Sequence, residues 1–142
     1  DWLVETYDAT LFLTGIPSHE ERGKAILQGM EHGDRVVDLI GVTTFTQLVG
    51  LLEKMDLLLS LDTGTAHIGA AAGCPVVTLF TFNSPVIYRP PGTHCEVVSG
   101  HLPCSGKHIC IGPSRCQKND CVEVVTVPMV QRAIQKIFQE TK

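Results

Sequence analysis

"SLDTGTAHIGAAAGCPVVTLF", residues 60–80, leaves an apolar run at an aspartate, turns through Thr63, Gly64 and Thr65, passes His67 and enters a stretch of very small residues. A strand, a tight polar turn, a short helix and a second apolar strand in direct succession are the repeating unit of a parallel sheet with crossover helices. In open sheets of that kind, ligands sit beyond the carboxyl ends of the strands, at helix N-termini. Asp62 stands at such an end, and Thr63, Gly64 and Thr65 would present free backbone N–H groups at the start of the next helix. Those donors and the helix dipole favour an anion by ~0.3–1 kcal/mol at the surface and ~2 kcal/mol when partly buried. Gly64 lets a phosphate approach the backbone with no Cβ in the way. Gly69, Ala70, Ala71, Ala72 and Gly73 let the helix lie close on its strand. The expectation is therefore a helix N-terminus aimed at the phosphates of a ligand. A local reading of the same residues makes Asp62 an N-cap and His67 a solvent-facing histidine. Asp-Thr-Gly also surrounds the catalytic aspartate of pepsin-type proteases, but those need a β-rich fold and a second such aspartate, and this chain offers neither.

Outward from this stretch the alternation continues. "ATLFLTG" (9–15) reads as a strand ending at a glycine, and "SHEERGKAILQGMEHG" (18–33) as a helix with a Ser18/Glu21 capping box. "RVVDLIG" (35–41) is the next strand. "TFTQLVGLLEKM" (44–55) is a helix opened by a Thr44/Gln47 capping box, with Phe45, Leu48, Val49, Leu52 and Met55 at helical spacing. "DLLLSL" (56–61) lacks alternation, as expected of a strand covered on both faces. The helix from Thr65 ends at Gly73, with Pro75 beyond it. A proline-containing loop (83–93), a strand "CEVVSG" (95–100), a cysteine-rich loop (101–125) and a last helix from Pro128 to about Gln139 complete the chain. The whole reads as one doubly wound, Rossmann-like α/β domain, residues 1–142.

The bulk properties agree. The 142 residues are 44% hydrophobic and 18% charged, as in a globular protein, and a domain of that size buries roughly 70% of its unfolded surface. A net charge of −4 gives no basic field for nucleic acid. Residues 63–88 contain no charged side chain, yet Pro75, Asn83, Pro85 and several glycines break the stretch, so it reads as buried helix and strand and not as a membrane span. The opening "DWLVETYD" is acidic, without the apolar region of a secretory signal, and resembles the tail of a helix whose preceding strand is absent. The chain is accordingly expected to be a fragment lacking the first strand of its domain, with the strands at 9–14 and 56–61 flanking the gap.

Residues 39–80 carry a further pattern: Gly41, Thr43 and Thr44 after a strand, then Asp62, Thr63, Gly64 and His67, then Ala70, Ala71, Gly73 and Pro75. This arrangement resembles the C-terminal domain of glycosyltransferase family 9, the ADP-heptose:lipopolysaccharide heptosyltransferases, and the likeness extends more loosely over nearly the whole chain. The resemblance implies the donor-binding half of a two-domain GT-B enzyme that inverts the anomeric centre and needs no metal or other cofactor for catalysis. Leaving-group charge is then met by backbone and side-chain donors, a role that suits Thr63, Gly64, Thr65 and His67. Asp62 would hold the turn or accept from a sugar hydroxyl. By family analogy the backbone at Val42 and Thr43 meets the base edge, and Glu20 or Glu21 the ribose hydroxyls. The catalytic base would lie in the other domain, which would also hold the lipopolysaccharide core acceptor. The implied location is the cytoplasm, with peripheral association at the inner membrane. Two departures stand out: His19 stands where many relatives carry the acid, and Thr81 replaces the glycine of the usual Leu-Phe-Gly. The donor sugar therefore stays open.

Six cysteines lie at 74, 95, 104, 110, 116 and 121. Cys74, at a helix end, reads as a small buried hydrophobe. Cys104, Cys110, Cys116 and Cys121 are spaced C-x5-C-x5-C-x4-C, unlike the C-x2-C of common zinc ribbons. Structural zinc, with His101 and His108 as further ligands, a disulfide set and reduced thiols all remain open for them. Two other functions compete with the transferase: a stand-alone nucleotide or phosphosugar-binding module without catalysis, and a cysteine-rich structural or redox domain.

Overall fold

A computed structural model describes residues 1–92, 94–100, 102 and 120–140. The chain forms two compact units, 1–48 and 49–142.

In the first unit a short helix, α1 (Trp2–Tyr7), precedes β1 (Leu11–Gly15), a 3-10 turn (Pro17–His19), α2 (Glu20–Gln28) and β2 (Val36–Ile40). β1 and β2 pair in parallel, Leu11 opposite Val36 and Gly15 opposite Ile40. α2 lies on the face bearing Leu13 and Ile40: buried Gly23 leaves no room for a side chain against Ile40. On the opposite face the register partners Phe12 and Val37 are exposed. Arg35 ties the entry to the sheet by donating to the carbonyls of Asp8 (2.8 Å) and Ala9 (3.3 Å).

The Ser18/Glu21 capping box does not form. Pro17 opens the 3-10 turn, so Ser18 already lies inside a helical turn, and α2 begins after His19 without a side-chain cap. Glu21 instead accepts from Lys24 at 2.8 Å, which holds its carboxyl below the usual range. The Thr44/Gln47 box does form: Thr44 N donates to Gln47 Oε1 (2.9 Å) and Gln47 N to Thr44 Oγ1 (3.3 Å). It opens α3 (Phe45–Leu52), within which the boundary between the units falls. Phe45 is exposed, not buried as its spacing suggested.

The second unit contains β3 (Leu58–Leu61), α4 (Gly64–Ala71), β4 (Val76–Phe80), α5 (Pro85–Tyr88), β5 (Cys95–Ser99), α6 (Asp120–Glu123) and α7 (Val127–Glu140). Its sheet is parallel, ordered β3-β4-β5, with Leu58 opposite Val76 and Val76 opposite Cys95. Successive strand residues face opposite ways. Val76 and Cys95 cluster with Ala66 and Ala70 of α4, whereas the next residue, Glu96, accepts from Lys136 of α7 at 2.6 Å. Helices thus cover both faces, as in a doubly wound sheet. Val76, Val77, Thr78 and Phe80 of the central strand, with Ile134 and Ile137 of α7, are fully or almost fully buried. β3 departs from expectation: Leu59 and Leu61 are 44% and 59% exposed, so only the face bearing Leu58 is covered.

The small residues of α4 have the packing role foreseen for them. A Cβ at Gly69 would run into Leu58 and touch Val76, so the helix seats at contact distance on β3 and β4. Gly69→Ala is expected to cost about 1–3 kcal/mol through overpacking. Gly50→Ala, in α3 where no described atom lies within 4 Å of the new Cβ, should instead stabilise by up to about 1 kcal/mol from helix propensity alone. Urea midpoints of the two variants check this contrast in sign. α4 ends as its sequence foretold, with Gly73 at φ +81° and Cys74 N bonded to Gly69 O at 3.0 Å.

Candidate functional site: the turn after the third strand

All strands within each sheet run the same way, so their carboxyl ends share one edge of that sheet. In the second unit this edge carries the Asp62–Thr63 turn after β3 and the loop after β4. Asp62 N donates to Leu79 O at 3.1 Å, which continues the ladder to the last residue before the turn.

Thr63, extended at φ −142° and ψ 170°, is the N-cap of α4, and its side chain makes no capping hydrogen bond to the helix. Its hydroxyl lies 3.5 Å from Ser60 Oγ instead. The local reading of Asp62 as the N-cap is thereby set aside. The half-buried carboxylate points elsewhere, its Oδ2 accepting from Asn83 Nδ2 at 2.6 Å. Ala66 N reaches back to Thr63 O at 3.1 Å, but the amides of Gly64 and Thr65 precede the first intrahelical bond and keep no side-chain partner. They form a donor pair at the positive end of a helix dipole.

Gly64 carries further information. Its φ is not in the left-handed region, and no described atom lies within 4 Å of the position a Cβ would occupy. Neither backbone conformation nor packing calls for glycine there, unlike Gly69. A glycine the fold does not use is one that a ligand can. His67, in the first turn of α4, is exposed and bonds to no described residue.

In the first unit the carboxyl ends of β1 and β2 carry the other predicted residues. Gly41, at φ +74°, packs on Pro17 and donates from its N–H to Gly15 O at 2.8 Å. This places exposed Val42, half-buried Thr43 and the start of α2 at the same edge of that sheet. Glu20 and Glu21 are both exposed in the first turn of α2, Glu21 tied to Lys24. The half-buried ring of His19 sits against Gly15. Sequence reasoning did not single out Asn83, which lies 21 residues from the carboxylate it holds. The signal that could have found it is strand adjacency, since the loops after β3 and β4 are neighbours in any β3-β4 pairing.

Of the cysteine cluster, Cys104, Cys110 and Cys116, like His101 and His108, lie outside the described residues, while Cys121 is half-buried in α6. Among the described residues only Glu5, Glu31 and His32 bring three metal-capable atoms within 4.8 Å, at an exposed to half-buried surface of the first unit. Cys74 and Cys95 are buried free thiols. Burial, with help from the charge of Asp56, pushes the Cys74 thiol up to about 11 from an ordinary 9.0. The folded state thus keeps a proton that the unfolded state loses, so the contribution of this thiol to stability is fully present below pH 9 and is lost as pH rises from 9 towards 11. The loss is on the order of 2 kcal/mol. Unfolding in urea at about pH 8 and about pH 10.5 should show it, and Cys74→Ala should flatten that slope.

No helix among the described residues is long and apolar enough to cross a membrane. The chain shares its fold with glycosyltransferases. It superposes on the crystal structure of a glycosyl transferase family 9 protein from Veillonella parvula with a TM-score of 0.77 at 21% identity, over 91% of this chain and 36% of that one. On the E. coli ADP-heptose LPS heptosyltransferase II the TM-score is 0.74 at 23% identity, over 92% and 37%. In sequence it is 39% identical over 62 residues to the lipopolysaccharide core heptosyltransferase OpsX of Haemophilus influenzae, covering 44% of this chain and 18% of that protein. It is 34% identical over 55 residues to lipopolysaccharide heptosyltransferase 3 of Escherichia coli, covering 39% and 16%. The chain thus spans little more than a third of its solved relatives, and the matched stretches less than a fifth of the curated ones. The sequence profile described as glycosyltransferase family 9 (heptosyltransferase) matches residues 4–110, well over half of the 142, and on that match the chain belongs to glycosyltransferase family 9.

Proposed function

We propose that this chain is the donor-binding part of an inverting glycosyltransferase that moves heptose from ADP-heptose to a lipopolysaccharide core acceptor. The observation that carries the reading is the uncapped N-terminus of α4: two unpartnered amides, a glycine the fold does not require and an exposed histidine in the first turn. As the glycosidic bond breaks, negative charge grows on the diphosphate. Fixed donors aimed at it stabilise that charge without a metal, because they need no reorganisation during the step. In this reading Gly64 N and Thr65 N, with the Thr63 hydroxyl, hold the diphosphate oxygens and His67 adds a side-chain donor. Asp62, turned away from the helix axis towards Asn83, accepts from a donor-sugar hydroxyl. Catalytic base and acceptor site belong to the rest of the enzyme. Its work is on the cytoplasmic side of the inner membrane.

Calorimetric titration with ADP, UDP and GDP tests the donor. ADP is expected to bind tightest, and a preference for UDP or GDP would overturn the ADP-heptose assignment. His67→Ala is expected to weaken ADP binding by about 1.5–3 kcal/mol, the worth of a hydrogen bond to a charged group. An unchanged affinity would leave His67 as a surface histidine without a role in the site.

A further inference from the structure

We infer that Asn83 is a positioning residue that aims the Asp62 carboxylate at the donor sugar, an assignment that rests on the proposed reading of the turn. Asp62 is the last residue of the β3 ladder and the first that could cap α4. Thr63 occupies the cap position, so the backbone leaves the Asp62 carboxylate uncommitted to the free amides and available to a ligand. Among the described residues its one side-chain partner is Asn83, at 2.6 Å from Oδ2. The two side chains come from the loops that follow adjacent parallel strands, and both are half-buried. Asn83 is suited to this by chemistry as well as place. Its amide donates to the carboxylate without adding a charge beside a site meant for an anion. With Oδ2 fixed, Oδ1 is the carboxylate oxygen left to accept from a ligand hydroxyl.

The inference separates two affinities. Losing Asn83 should disturb recognition of the sugar and spare the nucleotide. In full-length protein, Asn83→Ala is expected to leave the ADP affinity within about twofold and to reduce the affinity for ADP-heptose by about tenfold or more, the scale of one hydrogen bond to a charged group. Equal loss for both ligands, or none for ADP-heptose, would overturn it. The exchanged pair Asp62→Asn with Asn83→Asp keeps the bond and the net charge but moves the carboxylate to the other loop. Its thermal midpoint should return to that of the parent while the preference for ADP-heptose over ADP stays lost. If the exchange restores that preference, the bond merely ties the two loops together and the inference fails. Absence of ADP binding in the unsubstituted protein would overturn the nucleotide reading itself, whereas ADP binding with the sugar preference intact in Asn83→Ala overturns the role of Asn83 alone.

Discussion

Gly64→Asp is expected to weaken diphosphate binding severely while leaving the protein folded and slightly more stable. Residue 64 is the first of α4, with ordinary φ and open space where the side chain would project, so the substitution meets no steric obstacle. A carboxylate in the first turn of a helix gains from the dipole by about 0.3–1 kcal/mol, and replacing glycine there removes some unfolded-state entropy. The same carboxylate stands where the phosphate oxygens are proposed to bind. Two unit charges about 4 Å apart repel by about 4 kcal/mol at the effective dielectric constant of a protein surface. Binding should therefore weaken by two to three orders of magnitude, an estimate set by that repulsion. Thermal melting and ADP titration of the same preparation give both signs at once. Gly64→Ala is the milder control, expected to stabilise in the same sense with a smaller loss of affinity. A variant that binds ADP as well as the parent would place the diphosphate elsewhere on the molecule. Opposite movement of stability and affinity is the signature of a residue kept for its ligand at some cost to the fold.

Much of this is legible in the sequence itself. The five strands of the described residues appear where apolar runs between turn residues put them, because burial of continuous apolar segments overrides most local detail. The turn after β3 was legible for the same reason: a helix of glycine and alanine has few explanations other than close seating, and Gly69 supplies that explanation. What the sequence left undetermined was of two kinds. The first is competition between equal local signals. Ser18/Glu21 and Thr44/Gln47 fit the same capping pattern, but Pro17 prefers the first position of a helical turn and moves the start ahead of Ser18. The second is any fact that depends on what lies across the sheet. The run 57–61 is apolar except for Ser60, yet apolarity alone does not tell a strand covered on both faces from one covered on a single face. Likewise nothing near Asp62 or Asn83 in sequence announces their bond. It follows from β3 and β4 being neighbours, which is a property of the topology.

Residues 1–142 on their own are expected to bind the donor nucleotide and to transfer no sugar. Inversion at the anomeric carbon requires an acceptor hydroxyl to attack from the face opposite the leaving diphosphate, with a base at hand to take its proton. The turn after β3 supplies donors for the leaving group, and donors cannot act as that base. Of the polar side chains there, Asp62 is engaged by Asn83, and His67 projects from the helix end proposed to face the phosphates, which is the wrong side for an attacking hydroxyl. The chain covers 36–37% of its solved relatives, so a base held elsewhere in the enzyme is compatible with its extent. Binding and turnover should then separate cleanly: ADP binding measurable with residues 1–142, transfer from ADP-heptose only with the longer enzyme. Turnover by residues 1–142 alone would refute this division of labour. It would then direct attention to Asp62 and His67, the carboxylate and the imidazole of this turn that have the chemistry of a base, and Asp62→Asn or His67→Gln would have to abolish that activity.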